Sequence, residues 1–410
     1  MKRSIAILGR QPAIGLAELE SLYGADNVRA VGTQAALLDV AADTISFSRL
    51  GGSIKLGEVM GHVDSLQWPS IEKQLRVCAL EAARQAPDGK IKLGLSVQGL
   101  SISLPKLGAI GLNLKKALRN LDREGSVRVV PNKELELNSA QVLHNGLATA
   151  NGIELLIIRD GHSTIVARTT AIQDIDAYAK RDQGRPKRDA RVGMLPPKLA
   201  QTILNLALAD TPPSSKVQVL DPFCGTGVVL QEAMLMGYSA IGSDIDPRMG
   251  DYTVKNLDWL RGQYPETENV SRSWQLGDAT TLQWRTSDED GGDTHAPATI
   301  DAVACEGYLG QPFSTLPKPE KLADVKSTCN TILRKFLANI GGQIKPGTRL
   351  CLAVPAWQVK SGQFQHLSVL DRIEELGYNR VSFKHVEPSD LIYARADQIV
   401  ARELLVLIKK

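Results

Sequence analysis

Nine residues, VLDPFCGTG at 219–227, follow a short apolar run and open a stretch with helical apolar spacing. Gly225 and Gly227 allow a tight turn and a close approach of backbone to a ligand. Pro222, Phe223, Cys224 and Thr226 share that turn and stand with the glycines as candidate ligand contacts. A dinucleotide is the usual ligand of such a loop, and two features argue against it. The third small residue of the dinucleotide motif would fall on Leu230, which is too bulky for close helix–strand packing. Asp221 stands at the strand end, where a carboxylate repels a pyrophosphate but suits an ammonium group. No Gly-Lys-Ser/Thr follows, which excludes a P-loop.

Two further acidic strand ends follow. In GSDID (242–246), Asp244 or Asp246 is placed to take both hydroxyls of a ribose, with Ile245 between them. In QLGDATTL (275–282), Asp278, with Ala279 beside it, is a candidate acceptor for an adenine amino group. Three acidic strand ends around one glycine loop describe a pocket for S-adenosylmethionine. The plain structural alternative is that these carboxylates cap helices, and it weighs most for Asp278.

The elements that must position these residues alternate strand and helix from about residue 196 to the C-terminus. That alternation predicts a parallel, doubly wound α/β sheet. HLSVLDRIEELGY (366–378) reads as its last helix. RVSFKHVEP and IVARELLVLIK have no helix between them and are expected to pair as a hairpin, adding an antiparallel strand. TSDEDGGDTHAP (286–297) reads as an acidic, turn-rich insertion. Upstream, SIAILG and AALLDV read as strands around the helix GLAELESLYG, which Gly24 ends. A second α/β stretch runs from about 68 to 170 and closes on an expected hairpin, GIELLIIRDG with STIVARTTAI. Between the halves, Lys180, Arg181, Arg185, Lys187, Arg188 and Arg191 stand among glycine and proline. That stretch reads as an exposed basic linker able to meet RNA phosphates, or as a solvated charged loop with no partner.

The 410 residues exceed one ordinary core, and 43% hydrophobic with 23% charged content is that of globular proteins. A formal net charge of +3 permits an RNA-binding face without requiring one. The five cysteines (Cys78, Cys224, Cys305, Cys329, Cys351) form no CxxC pair, so they are expected as small buried hydrophobes in a reducing compartment, not as metal ligands. No apolar run is long enough for a signal peptide or a membrane span, and the cytoplasm is the default expectation.

LDPFCGTG with GSDID resembles the S-adenosylmethionine loops of tRNA guanine-N2 methyltransferases that carry an N-terminal THUMP domain. RLGGSIKLGEV near residue 50, YAKRDQGRPKRDARVGMLPPKLAQTILNLA at the junction and the order of elements from 70 to 170 extend the resemblance over nearly the whole chain. It implies a ferredoxin-like unit at 1–65, a THUMP domain gripping tRNA at 66–172, a linker at 173–195 and a Rossmann-like class I methyltransferase domain at 196–410. In that family the segment matching Leu195, Pro196 and Pro197 helps close the cofactor site. The family carries Asp-Pro-Pro-Tyr-Gly after its fourth strand; this chain has Glu306, Gly307, Tyr308, Leu309 and Gly310. The resemblance makes Glu306 and the Gly307 carbonyl the acceptors of a guanine amine's two N–H bonds, and Tyr308 the platform for the extruded base. Glu306 adds a methylene to the family's aspartate, a displacement of roughly 1 Å that can cost ~100-fold. Three readings follow: an active RNA methyltransferase, a tRNA-binding protein that keeps S-adenosylmethionine without turnover, and a methyltransferase for another amine or for protein. Trp357, in VPAW at a strand end, is a candidate base contact or a packing residue. A small protein activator subunit is a further candidate partner that no residue of the chain identifies.

Overall fold

The strands of the first 172 positions, several of them continuous apolar runs buried on both faces, join in one eight-stranded sheet. The computed structural model describes residues 2–121, 124–189, 195–285, 296–313, 315–360, 362–395 and 398–410. Arg191 and positions 286–295 of the acidic insertion lie outside the described residues. The chain divides into two compact units. One holds residues 1–16, 23–48 and 52–177; the other holds 17–22, 49–51 and 178–410.

Elements of the first 172 residues are β1 (Ser4–Leu8), α1 (Pro12–Tyr23), β2 (Val28–Val31), β3 (Ala35–Leu38), β4 (Ser53–Val63) and α2 (Trp68–Gln85), followed by β5 (Ile91–Gln98), α3 (Leu104–Arg119), β6 (Val127–Val129), α4 (Ser139–Asn145), β7 (Gly152–Asp160) and β8 (Ser163–Ile172). The strands run in the order β2-β3-β1-β4-β8-β7-β5-β6, through both segments expected as separate domains. Helix α2 buries Ile71, Leu75, Cys78 and Ala82, and α3 buries Leu107, Ile110, Leu114 and Leu118; both rows follow helical spacing and pack in one apolar core. Asn138 and Gln141 form a capping box at the start of α4. The expected hairpin forms: β7 and β8 pair antiparallel, with Gly161 at φ 62 in the turn. Inside this sheet Lys55 and Glu154 form a fully buried ion pair. Lys55 Nζ also donates to the Leu137 carbonyl at 2.7 Å. Ser96 Oγ donates to Glu154 Oε1 at 2.6 Å and Thr169 Oγ1 to Oε2 at 2.7 Å.

The second unit's elements are α5 (Ile175–Gln183, most of it), α6 (Pro197–Leu208), β9 (Gln218–Asp221), α7 (Val228–Leu235), β10 (Ser239–Asp244), α8 (Pro247–Gln263), β11 (Arg272–Leu276), β12 (Ala302–Glu306), α9 (Pro319–Gly341), β13 (Arg349–Lys360), β14 (Gln363–Gln365), β15 (Tyr378–Arg380), β16 (Ile392–Tyr393) and β17 (Val400–Lys409). The main sheet runs β11-β10-β9-β12-β13-β17-β15. Strands β11, β10, β9, β12 and β13 are parallel, and β17 inserts antiparallel between β13 and β15. This is the doubly wound α/β sheet that the strand–helix alternation predicts. The terminal hairpin forms differently from the expectation: of RVSFKHVEP (380–388) only Arg380 belongs to a strand, and β17 pairs on that side with the short Tyr378–Arg380 segment, which ends there. The order reverses at β9, whose neighbours are β10 and β12, and the crevice at the carboxyl ends of β9 and β12 is the place such sheets hold ligands.

Two further local expectations are corrected. Residues 368–376 form a 3-10 segment, not an α-helix, with non-helical backbone at Arg372 (φ −124°). The apolar spacing Leu370–Ile373–Leu376 satisfies a three-residue turn as well as an α-helical one, and the segment is too short for periodicity to separate them. The basic stretch is not an exposed linker throughout. Residues 175–183 are helical, which sets Tyr178 and Arg181 on one face, and Arg181 and Arg185 are buried (8% and 3% exposed). Arg181 Nε donates to the buried Glu232 at 2.8 Å, and the Tyr178 hydroxyl donates to Gln201 at 2.6 Å. Glu232, on α7, is far away in sequence, so a count of basic residues gives no sign of it.

Candidate active site

Strand β9 delivers Asp221 to the switch point, and the chain then turns sharply into α7. Gly225 and Gly227 take the left-handed backbone (φ 53 and 80) that the turn requires. Three hydrogen bonds shape the loop: Cys224 N donates to the Ser243 carbonyl (2.9 Å), Gly227 N to the Cys224 carbonyl (2.8 Å), and Thr253 Oγ1 to the Gly225 carbonyl (2.9 Å). Asn256, fully buried on α8, donates to the Thr226 carbonyl at 2.8 Å and also grips the Lys187 backbone through its N–H and C=O, both at 2.9 Å. The loop is therefore rigid from beneath and open above.

The opening is a cavity of about 350 Å³. Its walls include Asp221, Phe223, Cys224, Gly225, Thr226, Asp244 and Ile245 on one side, and Glu306, Gly307, Tyr308, Leu309 and Gly310 on the other. Three carboxylates thus converge on one space, and no lysine or arginine is among its described lining residues. Asp221 is 2% exposed, and its Oδ1 accepts from Phe223 N at 3.1 Å. Burial pushes its carboxyl well above the ordinary range; the Phe223 N–H opposes this, and the charges of Asp244 and Glu306 add to it. Asp244 Oδ2 accepts from Gly225 N and Oδ1 from Asp246 N, both at 2.9 Å, which ties the end of β10 to the glycine loop. Ile245 is 69% exposed, a bare apolar surface beside a carboxylate. An electronegative pocket with one apolar wall suits a cationic amino acid joined to a nucleoside and opposes a pyrophosphate.

Glu306 closes β12. Its Oε1 accepts a hydrogen bond from Arg402 Nε, an ion pair in which the arginine is 6% exposed. Gly307 N donates to the Ala353 carbonyl at 2.9 Å, which ties the segment after β12 to β13. Tyr308 is 44% exposed at the cavity mouth. Burial pushes the thiols of Cys224 and Cys305 well above their usual range, so neither is a thiolate nucleophile. Among the described residues, no three His, Cys, Asp or Glu side chains are grouped to hold a metal.

Comparison with known proteins places this geometry. The family described as "RMKL-like, methyltransferase domain" matches residues 185–290. A probable tRNA (guanine(10)-N2)-dimethyltransferase of Methanothermococcus thermolithotrophicus is 35% identical over 123 residues, 29% of this chain and 70% of that protein. The chain belongs to the tRNA (guanine(10)-N2)-dimethyltransferase family. The Methanothermobacter thermautotrophicus member is 32% identical over 165 residues, 40% of this chain; the match spans only 39% of that relative's length. The solved structure of TrmN from Thermus thermophilus aligns over the full length of both chains with a TM-score of 0.50 at 15% identity, which speaks for the fold alone.

Within this family fold, the expected residues separate into those at the cavity and those beside it. Asp221, Phe223, Cys224, Gly225, Thr226, Asp244, Ile245, Glu306, Gly307 and Tyr308 line it. Asp246 does not: its carboxylate caps α8 through Arg248 N at 2.9 Å and pairs with the Arg248 side chain, which holds it below the usual carboxylate range. Asp278 is exposed and spends Oδ1 on Thr280 N at 2.8 Å, and Ala279 is buried in the apolar core. Pro196 precedes α6 as its cap, while its neighbour Leu195 lines the cavity. Pro222 and Gly227 shape the turn from outside the lining. Trp357 is fully buried in the core, so its place is packing. Lys180, Lys187 and Arg188 keep exposed or half-buried side chains, and Arg191 lies outside the described residues. The lining residues Val228 and Val229 were hidden in an apolar helix pattern. Asn256 and Arg402 had no local signal at all, since each acts on a partner distant in sequence.

Proposed function

We propose that the protein transfers methyl groups from S-adenosylmethionine to the exocyclic N2 amine of a guanosine in tRNA. The observation that carries the reading is the convergence of Asp221, Asp244 and Glu306 on one cavity at the sheet's switch point, beside a glycine loop. The cavity's residues fit the cofactor: Asp221 would hold its ammonium, Asp244 its ribose hydroxyls, and Ile245 its adenine. When bound, S-adenosylmethionine supplies a methyl group on a positively charged sulfur. An exocyclic guanine amine is a weak nucleophile because its lone pair is delocalised into the ring. Glu306 and the Gly307 carbonyl would accept its N–H bonds, hold the nitrogen in line and favour the sp3 form as charge develops. Tyr308, exposed at the mouth, offers a face for an extruded base.

RNA binding is assigned to residues 66–172, read as a THUMP domain, together with Lys180, Lys187 and Arg188. The relatives' names support tRNA as the substrate class and guanine N2 as the acceptor. The ion pair on Glu306 supports a second reading, a tRNA-binding protein without turnover, because a carboxylate held by arginine has one oxygen fewer to offer. Mass spectrometry of tRNA nucleosides after incubation with the protein and S-adenosylmethionine separates the two. N2-methylguanosine or its dimethyl form is the expected product. Binding of both partners with no methylated nucleoside would leave the second reading standing.

A further inference from the structure

The pairing register explains why an arginine reaches the candidate acceptor site. Glu306 on β12 lies opposite Ala353 on β13, and Ala353 lies opposite Leu404 on β17. Arg402 is two residues from Leu404, so it shares a sheet face with Leu404, Ala353 and Glu306. It is also one step further toward the carboxyl end of β12, opposite Pro355. The residue between them in this row is alanine, whose small side chain leaves room for the two long ones to meet above it. The neighbouring Glu403 faces the other side and is occupied by Arg380 at 2.9 Å and by His366.

We propose that Arg402 is the positioning residue of the acceptor site, holding one oxygen of Glu306 so that the other is presented to the amine. The proposal rests on the methyltransferase reading above. Arg402 Nε takes Oε1, and among the described residues Oε2 accepts no hydrogen bond. The charged groups facing Glu306 are Arg402 from β17, Asp221 from β9 and Asp244 across the cavity, with Tyr308 beyond it on its own loop. Arg402 is therefore the cation that offsets two neighbouring carboxylates. The extra methylene of a glutamate, free to swing by itself, becomes defined once one of its oxygens is held by the Nε–H of a planar guanidinium. A shorter aspartate at 306 would end farther from Arg402, so the glutamate and the arginine make sense as a pair. In the transfer, the nitrogen lone pair becomes the new N–C bond and the pair of the broken S–C bond stays on sulfur. The displaced amine proton passes to water by way of Oε2.

The test is a cycle of Arg402→Met, Arg402→Lys, Glu306→Gln and the double variant Glu306→Gln with Arg402→Met, each assayed for kcat and KM on tRNA and for S-adenosylmethionine affinity by calorimetry. Glu306→Gln and Arg402→Met are each expected to lower kcat by about 10²-fold, with KM for tRNA and cofactor affinity within a few-fold of the parent. Arg402→Lys should recover part of the loss, since it restores charge without the planar fork. The double variant should be no slower than the slower single one, because the two residues act as a unit. Losses that multiply in the double variant would overturn the proposal, as would an Arg402→Met protein with parental or raised kcat. If Arg402→Met loses cofactor binding through misfolding, the lysine variant decides: partial kcat with parental KM supports the positioning role, and parental kcat refutes it for want of any geometric demand. An inactive parent defeats the methyltransferase reading and this inference with it, whereas an active parent indifferent to residue 402 defeats the inference alone.

Discussion

Two glutamates, one fully buried and one half-buried, are each paired with a cation and make opposite use of the same chemistry. Glu154 in the N-terminal sheet receives Lys55, Ser96 and Thr169, so both its oxygens are satisfied, and Lys55 is further held by the Leu137 carbonyl. Glu306 receives Arg402 on one oxygen and, among the described residues, nothing on the other. The first lies fully enclosed between strands; the second lines a cavity. A buried charge is tolerated when it is paired and hydrogen-bonded, and one enclosed between strands is out of a ligand's reach. A carboxylate oxygen at a cavity wall, with acceptor capacity to spare, is where recognition can occur.

Breaking the closed pair should give the largest effect. Lys55→Met leaves Glu154 buried and unpaired, and is expected to lower stability by about 3–5 kcal/mol in urea denaturation followed by circular dichroism. Replacing both residues with Met and Leu should recover much of that loss, since the pair's desolvation cost goes with it. If the single variant were as stable as the parent, the pair would not be the structural device the contrast requires.

Asp221 sharpens the contrast, being a buried carboxylate at the cavity that has the Phe223 N–H and, among the described residues, no paired cation. Burial raises it, so below the raised value the empty site carries a proton there. A bound ammonium favours the ionised form, and binding then releases that proton. Affinity for S-adenosylmethionine should rise with pH by up to about tenfold per unit and level off above the raised value. Calorimetry in buffers of different ionisation enthalpy should register the released proton, and a pH-independent affinity would argue that Asp221 is ionised in the empty site. The sign for folding is the reverse: the unliganded protein loses stability as pH climbs from the unfolded carboxylate range toward the raised value.

The smallest expected effect tests the same distinction among the basic residues. Arg181 is enclosed with Glu232, whereas Lys180 and Arg188 are exposed and Lys187 is half-buried. Replacing Lys180, Lys187 and Arg188 with glutamine should reduce the salt dependence of tRNA binding, by about 0.7–0.9 in log–log slope for each phosphate no longer neutralised. Arg181→Gln should leave that slope alone and lower stability instead. Equal slopes for all variants would remove the stretch from the RNA interface.

Most of the fold and the glycine-loop wall of the cavity were legible in the sequence. Asp221, Gly225, Gly227 and Asp244 fall within one β-α-β unit, where chain connectivity alone brings them together, and apolar periodicity marks the strands and helices around them. The antiparallel direction of the terminal strand was legible, since two strands without a helix between them cannot make a parallel crossover, but its partner was misplaced: Tyr378–Arg380, not RVSFKHVEP, pairs with β17. Three things only the tertiary structure decided. Asp244 rather than Asp246 meets the cavity, because Asp246 is drawn into capping α8. Arg181 is closed off by Glu232 on α7, which no local charge pattern predicts. Arg402 lies beside Glu306 although 96 residues separate them. That meeting depends on the register of β12 on β13 and of β13 on β17, and a slip of one residue would send Arg402 to the opposite face. Register is settled by the packing of the whole sheet, so the sequence determined which residues share the glycine-loop unit, and the assembled sheet determined what stands beside Glu306.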